Sequence, residues 1–487
     1  MALLLGIDQG TSGTRSVVYD DALTPLADAY RACPPTVPLP GHVEHDAERL
    51  LEHVRQTARE ALAKVGATRA DAVGLANQGE TAVAWDHGSG RPLAPAIVWQ
   101  DRRTEPLLDA LRRGGAAAGV ERDSRLPLDP YFTSSKLQWL LAQPGVRAAR
   151  ERGTLRLGTS DAFLRARMTG EHATDPATAS RTQLLDLHAV SWHPGLCDAF
   201  GVPVELLPAI TPTCGPHGET DAGPLWAAVT DQQAALAGNG CFAPGEAKCT
   251  YGTGCFLLTN TGAACGDSSG GLLPTIAWQL DGVTTYATDG GVLSAASCLD
   301  WLVELGVLSS ARQADAVAGT VADAGGVCFL PALAGLGAPW WRSGSRGVFA
   351  GLSGATRPGH LVRAVLDALA FRVCDIVEAG RRSGVALDHL RADGGLTASA
   401  VLMQRQADVL GVPVHRAPDP ELTALGAAAL AGLGAGIIAS TDAVVSRLAA
   451  PEVFTPRWTQ DHRAASYAEW LAFLERSAAL TGTPSAE

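Results

Sequence analysis

The chain has 487 residues, 46% hydrophobic and 18% charged, a globular composition too large for one compact core, so two or three domains are expected. Its net charge of −12, with no lysine- or arginine-rich run, excludes a nucleic-acid partner held by phosphate neutralisation, but not an anionic substrate in a local site. The ten cysteines, at 33, 197, 214, 241, 249, 255, 265, 298, 328 and 374, form no Cys-x-x-Cys pair and read as buried reduced thiols of a cytoplasmic protein.

Residues 1–5 carry neither a basic leader nor a long apolar stretch, so no secretory signal is expected. Residues 3–7 read as a short strand, Gly10 and Gly13 as a turn, and Arg15 to Tyr19 as the returning strand. Residues 48–65 and 135–141 have helical spacing of apolar side chains. Near the middle of the chain the opening plan returns. A strand over 247–251 leads into Gly252-Thr253-Gly254, and Cys255-Phe256-Leu257-Leu258 leads out. Two such hairpins half a chain apart suggest a duplicated domain. The boundary is expected at 236–244, where Gly238, Gly240 and Pro244 interrupt regular structure, giving domains 1–240 and 241–487.

In the second half, Leu361, Val365, Leu369 and Val373 share one helix face. A short strand then leads to Asp393-Gly394-Gly395 and a helix over 401–410. Residues 423–440 are uncharged and long enough for a membrane span, but they are mostly Ala and Gly. A buried, tightly packed helix is the expectation, and no membrane association. The polar tail from 455 reads as helix-forming, with 482–484 as a frayed end. Strands alternating with helices give an α/β fold class.

Four segments carry chemistry. Asp8-Gln9-Gly10-Thr11-Ser12-Gly13-Thr14-Arg15 sets a carboxylate at a strand end beside glycines, whose backbone N–H groups can approach phosphate, and hydroxyls that add donors. It is no Walker loop, because Gly-x-x-x-x-Gly-Lys-Ser/Thr is missing; a plain polar turn has the same composition. The second hairpin repeats the chemistry without a carboxylate. Asp231, in Thr230-Asp231-Gln232-Gln233 before an apolar run, is the candidate general base for a phosphoryl acceptor; a helix N-cap is the alternative and is compatible with that role. Gly394-Gly395 offers flat backbone to a base or ribose, or is a strand-to-helix turn.

Taken together, these segments resemble the FGGY carbohydrate kinases, and among them the glycerol kinases. The agreement continues through Asn77-Gln78-Gly79-Glu80-Thr81, Ala96-Ile97-Val98-Trp99-Gln100-Asp101-Arg102-Arg103-Thr104 and Asp129-Pro130-Tyr131-Phe132. It extends through Asp231-Gln232-Gln233-Ala234-Ala235-Leu236, Thr250 to Phe256, Gly335-Leu336-Gly337-Ala338-Pro339-Trp340-Trp341 and Thr423-Ala424-Leu425-Gly426, in family order over nearly the whole chain. The resemblance implies two actin-like (ribonuclease-H-fold) domains around a cleft. The first would hold mainly the acceptor and the second mainly ATP with Mg²⁺.

It further implies Asp231 as general base and Asp8 as the metal's partner. Thr11, Ser12, Arg15 and Thr253 would serve the phosphates. Gly395 and Ser399 would lie near adenine, with Ala296 and Asp300 near the nucleotide; Ser399 stands where asparagine is usual, and Ala296 and Asp300 replace glycine and glutamine. The acceptor contacts would be Gly79, Glu80, Trp99, Tyr131, Asp231, Gln232 and Phe256. Gly79 stands in place of an arginine. Loss of its donors should weaken a small triol by about 1–3 kcal/mol, and the space favours a longer acceptor such as a tetritol, pentitol or ketose, with glycerol as the alternative. The segment 218–230 is shorter than in glycerol kinases that carry a sugar-bisphosphate feedback loop, so that inhibition is not expected. A homodimer or homotetramer is also implied. An actin-like ATPase without an acceptor is the rival reading, against which stand Trp99, Tyr131, Glu80 and Phe256.

Overall fold

The computed structural model describes residues 2–481 apart from 267, 269, 343 and 420; the 482–484 end expected to fray lies outside the described residues. The first sheet is built from β1 (Leu4–Gln9), β2 (Gly13–Tyr19), β3 (Pro25–Ala32), β4 (Ala72–Asn77), β5 (Glu219–Thr220) and β6 (Gly223–Thr230), in the order β5-β6-β4-β1-β2-β3. The second contains β7 (Ala247–Tyr251), β8 (Cys255–Gly262), β9 (Leu273–Leu280), β10 (Val283–Val292), β11 (Leu390–Asp393), β12 (Val414–Arg416) and β13 (Glu452–Phe454), in the order β9-β10-β8-β7-β11-β12-β13.

The two sheets repeat one plan. β1 pairs antiparallel with β2 and parallel with β4, which pairs parallel with β6. β7 pairs antiparallel with β8 and parallel with β11, which pairs parallel with β12. The duplication inferred from two glycine hairpins is therefore a duplication of whole sheets, and the fold is a pair of actin-like α/β domains. A smaller sheet of Glu44–His45, Ala82–Asp86, Ala96–Ile97 and Leu155–Thr159 is appended to the first domain.

Central strands are apolar on both faces because helices cover both. Leu4, Leu5 and Ile7 of β1 are fully buried. Helix α1 (Ala47–Lys64) starts where the Asp46 carboxylate accepts from the Glu48 and Arg49 N–H groups. It packs Leu51, Val54, Ala58 and Leu62 beneath Leu5, Ile7 and Val18. The next helices that bear on the site are α2 (Pro176–Ser180), α3 (Asp231–Gly238) and α4 (Ala296–Glu304). They are followed by α5 (Pro358–Arg382), α6 (Ala400–Leu410) and α7 (Leu422–Gly434).

Helix α7 is the Ala/Gly segment. No described helix is long and apolar enough to cross a membrane; this one is buried, and it lies on the first sheet although it belongs to the second half of the chain. Its Ala424, Ala427, Ala428 and Leu430 share a core with Leu4, Ala72, Ala76, Val229 and Leu236. The contact is backbone on backbone. A Cβ on Gly6 would stand 1.9 Å from the Ala424 carbonyl oxygen, one on Gly74 2.0 Å from that of Ala427, and one on Gly426 1.8 Å from that of Ala234. Only glycine permits such an approach.

Every cysteine is unpaired. The expectation of buried thiols needs correction, since Cys214 and Cys265 are half-buried and Cys328 is exposed at the start of a short strand whose other two residues are buried.

Candidate active site

Strand β6 stays extended through Thr230, with φ −66° and ψ 147°, so Thr230 holds the cap position and the helix begins one residue earlier than an Asp231 cap requires. Asp231 is the first helical residue of α3, and its Oδ1 accepts from the Gln232 N–H at 2.7 Å. Burial, then the charge of Glu80, pushes the Asp231 carboxyl up to about 7, against the pull of Lys248, the Gln232 N–H and Arg181. Such a value suits a base that must ionise near neutral pH. Lys248 on β7 is fully buried, and its Nζ donates to Gln232 Oε1 at 2.6 Å and to Thr250 Oγ1 at 2.8 Å. The residue after Asp231 is thus tied to the second domain.

Asp231 faces a cavity of about 340 Å³ between the two sheets. Gly79, Glu80, Trp99, Tyr131, Gln232 and Phe256 line it on the side expected to receive an acceptor, and Thr11, Ser12 and Thr253 line it from the two hairpins. Trp99 meets Tyr131 and Phe256 edge-to-face, with ring centroids 5.7 and 6.1 Å apart. These rings form an apolar wall for carbon–hydrogen faces. Gly79 leaves real space: a Cβ there would find only Thr230 Cγ2, at 3.1 Å.

The hairpins close alike. Gly10 N–H donates to Gly13 O at 3.0 Å, and Gly252 N–H to Gly254 O at 2.9 Å. Ser12 and Thr253 stand exposed at their tips. Asp8, near the end of β1, lies among other carboxylates. Burial first, then the charges of Asp231 and Glu421, holds its carboxyl well above the usual range, opposed by Arg15.

Six candidates lie outside the cavity lining, Asp8 and five others. Arg15 pairs with Asp28 at 2.8 Å and approaches Glu421 at 3.6 Å. Ala296 opens α4 against the second hairpin, its N–H donating to Gly252 O at 3.1 Å, and Asp300 is exposed one turn on. Gly395 is exposed beside Gly394, at φ 89°, where a Cβ would meet Tyr251 O at 2.6 Å. The third glycine site therefore abuts the second hairpin. Ser399 caps α6: its hydroxyl accepts from the Leu402 N–H and donates to the Asp315 carboxylate.

Three residues not singled out in the sequence complete the site: Lys248, Arg181 and Asp289. Arg181, just after α2, donates from Nε to Glu80 Oε1 at 2.6 Å and pairs through Nη2 with Asp289 Oδ2 of β10 at 2.9 Å. Its guanidinium carbon stands 5.6 Å from the Tyr131 ring centre. Glu80 adopts φ 54°, a left-handed backbone unusual for a non-glycine residue, and this aims its carboxylate at Arg181. Burial raises the Glu80 carboxyl and Arg181 lowers it. A guanidinium therefore reaches the acceptor side although residue 79 is glycine. Arg181's only sequence signal was a lone charge in a run of small residues.

Comparison with known proteins fits this geometry. The model of the FGGY family of carbohydrate kinases, N-terminal domain, matches residues 3–234, and that of the C-terminal domain matches 247–435. The chain is 44% identical over 489 residues to a glycerol kinase of Halorhodospira halophila, covering 97% of this chain and 96% of that protein. It is 43% identical over 490 residues to a glycerol kinase of Thermus brockianus, covering 98% and 99%. Among solved structures, a Plasmodium falciparum glycerol kinase with ADP superposes with a TM-score of 0.91 at 31% identity, covering 98% of each chain. A xylulose kinase from Rhodospirillum rubrum gives 0.85 at 25%, covering 97% and 98%. With both domain models matched, over 3–234 and 247–435, and relatives 43–44% identical over nearly the whole chain, the chain belongs to the FGGY family of carbohydrate kinases and is an ATP-dependent phosphotransferase.

Proposed function

We propose that the enzyme transfers the γ-phosphoryl group of ATP to a hydroxyl of a small polyol, glycerol first among them, with Asp231 as general base. The observation that carries this reading is Asp231 itself, in one cavity with Glu80, Trp99 and Tyr131 on one side and Thr11, Ser12 and Thr253 on the other. In its ionised form Asp231 takes the proton of the acceptor hydroxyl as that oxygen bonds to the γ-phosphorus and the bond to ADP breaks. Glu80 accepts from a neighbouring hydroxyl, and Trp99, Tyr131 and Phe256 cover the carbon chain and exclude water that would otherwise take the phosphoryl group. Thr11, Ser12 and Thr253 donate to the phosphates. The end of β11 at Gly395 and Ser399, with Ala296 and Asp300 of α4, borders the nucleotide. Arg15 balances the carboxylates about Asp8.

The residues fit Mg²⁺. Asp8 is a sheltered carboxylate among carboxylates, a setting that a hard cation with oxygen ligands relieves. When bound, Mg²⁺ would neutralise the β- and γ-phosphate oxygens, and Asp8 would hold it directly or through water. Unpaired cysteines suit a reducing compartment, and we place the enzyme in the cytoplasm.

A second reading, a longer acceptor such as a tetritol, pentitol or ketose, is favoured by the side-chain-free Gly79. ATP consumption measured with glycerol, erythritol, threitol, the pentitols and ketoses separates the two. ATP turnover indifferent to every acceptor would overturn both in favour of an ATPase.

A further inference from the structure

Two residues that line the acceptor cavity each carry a buried polar atom that no described protein group satisfies. Arg181 is 3% exposed and Asp289 6%, and both line the cavity. Arg181 spends Nε on Glu80 and Nη2 on Asp289 Oδ2. Among the described residues, its third nitrogen, Nη1, has no hydrogen-bond partner, and neither has the second Asp289 oxygen, Oδ1. A guanidinium cannot shed its charge, and a half-satisfied buried network is unfavourable, so the pair is incomplete as it stands. One alcohol completes it. A hydroxyl can accept from Nη1 and donate to Oδ1 with the same oxygen, which neither an ammonium nor a carboxylate can do.

We propose that Arg181 and Asp289 form a hydroxyl subsite of the acceptor cavity, holding a polyol hydroxyl other than the one Asp231 deprotonates. This rests on the polyol reading above and deepens it. The guanidinium that residue 79 lacks is supplied from the segment after α2. Arg181 belongs to the first domain and Asp289 to the second, so the acceptor hydroxyl bridges the two sheets. An acceptor without that hydroxyl loses two hydrogen bonds and leaves both groups unpaired, which is the strongest form of discrimination a binding site can apply.

The test compares glycerol with propane-1,2-diol and propane-1,3-diol, each lacking one hydroxyl, in the wild type, Arg181→Lys and Asp289→Asn. Lysine keeps a cation between Glu80 and Asp289, and asparagine is nearly isosteric, so circular dichroism and melting temperature can verify that each variant folds. If Arg181→Lys does not fold, Asp289→Asn carries the test alone. The wild type should prefer glycerol over one of the diols by at least about 100-fold in kcat/KM. In the variants that preference should fall below about tenfold, with a raised KM for glycerol and an unchanged Kd for ATP. A merely structural role would lower activity on all three acceptors alike. Undiminished preference in the folded variants overturns the subsite and leaves the polyol reading intact. A wild type that phosphorylates no polyol overturns both.

Discussion

The indole nitrogen of Trp99 donates to the Thr11 hydroxyl at 2.9 Å, joining the acceptor wall to the first phosphate hairpin by a single hydrogen bond. A shift of one surface must be felt by the other. Thr11→Val keeps the shape and removes the acceptor oxygen; Trp99→Phe removes the donor. Each should lower kcat/KM by about tenfold, the worth of one hydrogen bond in a desolvated site. The double variant should be no worse than the more damaged single one. Additive losses in this cycle would mean that the two surfaces act independently.

Asp231→Asn should reduce kcat by about 10²–10⁴-fold, the usual contribution of a positioned general base. Titration calorimetry should find ATP binding nearly unaltered. Transfer at the wild-type rate would remove Asp231 from the chemistry.

Asp231 also gives the apoenzyme a pH signature. Its carboxyl titrates near 7 in the fold against 3.8 as a model carboxyl, chiefly through burial and then Glu80. The folded state therefore binds the proton more tightly. That contribution to stability is complete below about pH 4, declines as pH rises, and is lost once pH passes about 7. Asp231→Asn removes the buried charge. Melting curves without ligand should show the variant more stable than the wild type at pH 8 and the difference closing at pH 5. A constant difference across that range would contradict the assigned shift.

Gly79→Arg tests the open space from the other direction. The new Cβ comes within 3.1 Å of Thr230 Cγ2, so the neighbour must yield by a few tenths of an ångström. The added side chain would occupy room available to a long acceptor. The ratio of kcat/KM for glycerol over erythritol should rise. A fall in that ratio would show that the space plays no part in selecting chain length.

Local chemistry was legible and long-range chemistry was not. Both glycine hairpins and Asp231 announce themselves through neighbours a few residues away, whereas Trp99, Tyr131 and Phe256 come only from the resemblance to the FGGY kinases. Residues 423–440 read as a tightly packed helix, and the helix is there and buried, but it ends at Gly434, six residues short of that stretch. Its partner did not follow from composition: α7 lies on the first sheet through Gly6 and Gly74, which only the tertiary fold brings to it. Lys248 read as an ordinary member of a strand, and Arg181 and Asp289 carried no motif. Their roles arise from one contact spanning residues 80, 181 and 289, and no window along the chain contains it. The N-cap alternative for Asp231 is off by one residue, since Thr230 holds the cap position and Asp231 is the first helical residue.

The backbone contact between α7 and α3 gives a stability prediction. Gly426→Ala would push a methyl to 1.8 Å from the Ala234 carbonyl, and no flexible side chain is available to move aside. A loss of about 3 kcal/mol or more is expected in denaturant unfolding. Wild-type stability would show that the two helices can part there.

The packing of α7 on the first sheet has a consequence for synthesis on the ribosome. The strands of the first sheet are complete at Thr230, but the helix that lies across them ends at Gly434. At ordinary elongation rates the interval is roughly 10–40 s. Throughout it the nascent sheet carries an uncovered strip of glycine and alanine, open to any backbone that approaches. The amino-terminal half therefore depends on the late arrival of its own central helix, and a chain truncated before residue 422 should be a client of chaperones rather than a stable fragment.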